Sequence, residues 1–156
     1  MERDKSTVEV LNDLIRINND RIEGYEKAMD NSGSSGVDLR HIFSRMADES
    51  RSYVRELTAE VRRLGGEPAS GTTASGKVYR LWMDVKSGFS RSDRKSVLEE
   101  CEYGEDAAQK AYEKALDPAN DLSPEVRSLI QTEKTNLSAP HNTIKSYRDM
   151  GRNTRK

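Results

Sequence analysis

Four long stretches of the chain repeat their apolar residues at alternating steps of three and four. That spacing places them on one face of a helix and admits little besides long helices packed side by side at a shallow angle. The first runs Val8, Leu11, Ile15, Asn18, Ile22, Tyr25, Met29. The second runs Leu39, Ile42, Met46, Glu49, Tyr53, Leu57, Val61, Leu64. The third, at 98–116, carries Leu98, Cys101, Ala108, Tyr112 and Ala115, with Glu102 and Glu105 breaking into the stripe. The fourth carries Val126, Ile130, Glu133, Leu137, Ile144 and Tyr147. Polar residues within these seams are either partnered in a core or turned to water, because burying an unpaired carboxylate is costly.

The connections decide how such helices are arranged. Residues 31–36 (NSGSSG) and 117–121 (DPAND) are short breaks, and short breaks force antiparallel neighbours. The second and third helices are separated by a loop at 67–76 and a short apolar-faced stretch at 77–86 (KVYRLWMDVK). That stretch reads as a small helix within a crossover, with Trp82 laid on the bundle. The prediction is an all-α, ferritin-like four-helix bundle with one long crossover. One domain fills 1–156, with the bundle over about 6–150 and a basic tail at 151–156.

Local signals punctuate the helices. Residues 6–9 (STVE) have the pattern of a capping box, after a frayed start. Gly65 and Gly66 supply a left-handed stop. Ser123-Pro124-Glu125 combines a hydroxyl cap, a proline at the first helical position and an acid at the positive end of the dipole. Pro140 predicts a kink just before His141.

Composition narrows the function classes. Hydrophobic residues make up 33% and charged residues 34% of 156, which suits amphipathic helices that each bury one stripe. Formal net charge is −1 with the basic residues dispersed, so no nucleic-acid partner is expected. There is no long apolar run and no signal peptide, so no membrane partner is expected and the predicted compartment is the cytoplasm. One cysteine, Cys101, permits no internal disulfide and reads as a small core residue. His41 reads as exposed. No phosphate-binding glycine loop, paired-cysteine zinc motif or nucleophile elbow is present.

The segments RLGGEP at 63–68, LWMDVK at 81–86 and ECEYGEDAAQKAYEKAL at 100–116 resemble a bacterial ferritin-like family of no assigned reaction, with relatives among stress-associated proteins. The likeness extends from the first helix to about residue 150. The wider superfamily holds two irons with one Glu from each of two helices and a Glu-x-x-His pair from each of the others. Carried over residue by residue, the resemblance puts the first Glu at Asn18. It puts one pair at Glu49 and Ser52, the next Glu at Glu102 with Glu105 one turn on, and the last pair at Ser138 and His141. Asn18, Ser52 and Ser138 are poor iron ligands, so a di-iron oxidase is not expected.

Two functions follow. One is a non-enzymatic ferritin-like bundle, linked to stress, that forms a homo-oligomer (a dimer) or binds a protein partner around a degenerate metal site. In that case Glu49 and Glu102 hydrogen-bond to Asn18, Arg51 or a tyrosine (Tyr25, Tyr53, Tyr112), or face water. The other is a single Fe or Mn ion held by Glu49, Glu102 and His141, with Glu105 as substitute ligand.

Overall fold

The computed structural model describes residues 2–31, 37–71 and 94–137. Four helices occur among them: α1 (Glu2–Asn31), α2 (Val37–Arg63), α3 (Arg94–Ala115) and α4 over 124–137. The described part of α1 is about 45 Å long at 1.5 Å per residue. It starts earlier than the capping pattern suggests, so Ser6 and Glu9 are inside the helix. The preceding Glu, Arg and Lys are good helix formers and continue the helix toward the start of the chain.

Paired contacts give the directions. Asn18 meets Ser50 while Tyr25 stacks on Phe43, so α1 and α2 are antiparallel. Asn18 meets Tyr112 while Arg21 meets Glu105, so α1 and α3 are antiparallel too. Tyr112 meets Glu133 while Arg127 reaches the Leu116 carbonyl, which makes α3 and α4 antiparallel. Hence α2 and α3 run the same way, and the chain between them must return the length of the bundle. Its described beginning does this along α1. Gly66 lies against Val8, Asn12 holds the Glu67 carbonyl and the Ala69 N–H, and Asn19 holds the Gly71 carbonyl. The expected short helix with Trp82, and Pro140 with its kink, lie outside the described residues.

The turns are built as their sequences imply. Gly65 has φ +79°, and the Gly65 and Gly66 N–H groups donate to the Arg62 and Val61 carbonyls at 3.0 and 2.9 Å. That pair of bonds closes a Schellman motif, which a residue with a Cβ would strain. Ser123 Oγ accepts the Val126 N–H at 3.3 Å at the head of α4. Asn120 donates to the Lys114 and Ala115 carbonyls, satisfying the end of α3.

The core changes character along its length. Toward the start of α1 it is apolar: Leu11, Leu14, Ile15, Leu57, Val61, Val126 and Ile130 are all buried. Each such side chain contributes about 1.5–3 kcal/mol by leaving water. Half-way along α1 the apolar filling gives way to a polar layer. Cys101 is buried and His41 is exposed, as their sequence contexts imply.

Candidate functional site

The polar layer is built at core positions of all four helices. Asn18, Arg21 and Tyr25 follow one another on α1 at steps of three and four, so they share a face. Glu49, Ser50 and Tyr53 face them from α2, Glu105 and Tyr112 from α3, and Glu133 from α4. Asn18, Arg21, Tyr25, Ser50, Glu105, Tyr112 and Glu133 are buried.

Arg21 is the centre of one half. Its Nε donates to Glu105 Oε1 at 2.8 Å, and neither side chain is exposed. Its Nη1 donates to Ser50 Oγ at 2.8 Å and Glu49 Oε1 at 3.1 Å, with the Met46 carbonyl at 3.3 Å. The Tyr25 hydroxyl donates to the same Glu105 Oε1 at 2.5 Å, and the guanidinium stands 5.6 Å from the Tyr25 ring centroid. Burial opposes the charge on Arg21, but Glu105, Tyr25 and Glu49 outweigh it and hold the guanidinium above its ordinary pKa. Burial raises Glu49, against the pull of Arg21, and its side chain keeps 27% exposure.

Glu133 is the centre of the other half. Its Oε1 accepts the Tyr112 hydroxyl at 2.7 Å, and its Oε2 has no hydrogen-bond partner. Glu56 stands beside it from α2. Burial pushes the Glu133 carboxyl up to about 9; the Tyr112 hydrogen bond works against that shift and Glu56 adds to it. Burial likewise raises Tyr112, with Glu133 second.

Asn18 joins the halves. Its Nδ2 donates to Tyr112 Oη at 2.9 Å and to the Leu14 carbonyl at 2.8 Å, and its Oδ1 accepts from Ser50 at 2.9 Å. The sequence marks Asn18 as a buried amide in the seam, and the structure gives it three partners on three helices.

The expected ligand positions are placed unevenly. Glu49 and Glu105 meet across Arg21, while the Glu102 side chain, Ser138 and His141 lie outside the described residues. Among the described residues no group of three or more His, Cys, Asp or Glu side chains is disposed to hold a metal ion. The Glu49–Glu105 pair is already matched by a guanidinium that cannot give up its proton. This part of the layer therefore fits an arginine and does not fit a metal ion as it stands. Sequence reasoning missed Arg21. Its signal was a step of three from Asn18, which shares the seam with the step of four to the apolar Ile22.

The sequence model of the family described as "Domain of unknown function (DUF2383)" matches residues 6–118. This chain belongs to the DUF2383 family. A solved structure of a Mycobacterium smegmatis Dps1 mutant is similar to it, with a TM-score of 0.75 and 12% identity. The match covers 94% of this DUF2383 chain and 97% of that chain. At that identity the likeness concerns the fold, a ferritin-like helical bundle. No curated protein matches the chain. Among the described residues no helix is long and apolar enough to cross a membrane.

Proposed function

We propose that this DUF2383 protein is a non-catalytic ferritin-like bundle that works by association, with a second copy or a protein partner, around a metal site made redundant by Arg21. The observation that carries the reading is the fully buried Arg21–Glu105 pair at 2.8 Å. A fixed cation supplies the charge that carboxylates at the centre of a ferritin-like bundle otherwise take from metal. The association half of the reading draws support from the flank where α1 and α3 meet. A cleft of about 490 Å³ opens there, with Leu14, Ile17, Ala111 and Ala115 in its lining and Asp13 and Lys114 beside them.

Anaerobic titration with Fe(II) and Mn(II), read by calorimetry and thermal shift, tests the first half. No stoichiometric binding is expected. A one-to-one stabilisation abolished by Glu49→Ala or His141→Ala would establish the single-ion alternative with Glu102 instead. Sedimentation velocity over a range of concentrations tests the second half. A concentration-dependent dimer lost in Ala111→Arg is expected; a monomer throughout removes self-association and leaves the partner protein.

A further inference from the structure

The cleft between α1 and α3 has walls of opposite charge. Glu9 and Asp13 stand along its α1 side, and Lys114 stands on its α3 side. All three are exposed. Asp13 also accepts from Arg16 at 3.0 Å, within an i,i+3 pair whose side chains keep 73% and 41% exposure. A pair so open to water contributes little, and the carboxylate retains an oxygen for a second cation. Between the walls the lining is apolar. Leu14 and Ile17 close the floor, while Val10 and Ala111 are only partly buried.

The register along the cleft follows from the contact beneath it. Asn18 meets Tyr112 across the antiparallel pair, so Asp13 and Lys114 lie on the same side of that contact. At 1.5 Å per residue the two differ by about 4.5 Å along the axis. The four-carbon stem of a lysine covers that span.

A second copy can close face to face over the cleft in two symmetric ways. A two-fold axis along the cleft lays α1 of each copy over α3 of the other, at the same level. An axis across the cleft lays α1 over α1 and α3 over α3. The first sets Lys114 of each copy against the acids of the other, twice over. The second sets acid against acid and lysine against lysine, which costs affinity.

We infer, on the reading that this bundle works by association, that the occupant of the α1–α3 cleft is a second copy of the chain, docked about a two-fold axis parallel to α1 with reciprocal Lys114–Asp13 contacts. The apolar lining supplies affinity by leaving water. The charges decide which helix faces which. Because the patch is its own complement under that axis, the contact closes at two copies.

Sedimentation velocity of the full chain and its charge-exchanged variants tests the arrangement. Asp13→Lys alone and Lys114→Glu alone each put like charges at both contacts. Each is expected to weaken the dimer by at least about tenfold. An equimolar mixture of the two variants is expected to recover the parent affinity, because each contact of the mixed dimer again brings a cation to an anion. Both substitutions in one chain are expected to do the same. Recovery on mixing also shows that each single variant is folded. A parent dimer that either single variant leaves unchanged, or weakened variants that fail to recover on mixing, overturns this docking while self-association stands. Assembly that continues past two copies overturns the two-fold arrangement. A parent chain that is monomeric at every concentration overturns this docking and self-association together, and gives the cleft to a protein partner.

Discussion

The polar layer contains two buried glutamates that solve the same problem in opposite ways. Glu105 is matched by a charge: Arg21 Nε donates to it at 2.8 Å, with Tyr25 on the same oxygen. Glu133 has a phenol and another acid beside it, Tyr112 and Glu56, and among the described residues it meets no cation. One half of the layer is therefore an ion pair and the other a carboxyl that burial pushes up to about 9, though both glutamates are 0% exposed. The lesson is that burial alone does not set the state of a core carboxylate. The neighbour contributed by the next helix does.

Exchanging glutamate for glutamine at each site is the sharpest way to break this contrast. Glu105→Gln should lose about 3–5 kcal/mol at pH 7, because it leaves the buried Arg21 charge matched only by the partly exposed Glu49. Glu133→Gln should gain stability at pH 7, since it replaces an acid that must hold a proton with a group that needs none. Chemical denaturation of the two variants in parallel gives the comparison; effects of the same sign would remove the distinction. Arg21→Ala should match Glu105→Gln in direction and size, as the complementary half of one pair.

The next effect concerns what the ion pair is for. The double substitution Arg21→Met with Glu105→Leu removes both charges together. It is expected to recover the loss of either single change and to end between neutral and about 4 kcal/mol more stable than the parent, as apolar replacements of buried pairs have done. A double variant as weak as the singles would mean that Ser50 and the Met46 carbonyl, not charge balance, anchor Arg21.

Asn18 should rank third. Asn18→Ala strips a partner from Tyr112 on one side and from Ser50 on the other, and about 1–3 kcal/mol should go with them. The smallest change is the surface control. Arg51 bonds Glu26 and Asp48 from a side chain with 37% exposure. Arg51→Ala is expected to cost a few tenths of a kcal/mol, about the worth of an exposed pair. A large effect there would show that the contrast between Arg21 and an ordinary surface arginine has been drawn too strongly.

Much of this was legible in the chain before any coordinates. Steps of three and four in 8–29 and 39–64 mark α1 and α2, and the Gly65-Gly66 stop and the Ser123 cap fall where their chemistry requires. Asn18 stands out as an amide in an apolar seam, and Glu49 and Glu105 stand out as acids in theirs. Arg21 does not stand out, because an arginine one position from an apolar residue reads as solvated helix surface. Glu133 is visible in its stripe, but the rise of its carboxyl comes from burial among the other helices, with Glu56 adding from a helix some 80 residues away in the chain. The start of α1 was misplaced for a local reason. A capping pattern is a permission to begin a helix there, and helix-forming residues before it allow an earlier start.

The amino-acid sequence by itself determined the number of helices in the described part, their faces, their order and the long return between the second and third. Those properties depend on periodicity and connection length, which are local or arithmetical. Only the tertiary structure decided that Arg21 enters the core, that it takes Glu105 as its counter-charge, and that Glu133 has none among the described residues. The reason is that electrostatic partnership is a matter of a few ångströms between side chains on different helices, and spacing along one helix carries no information about it.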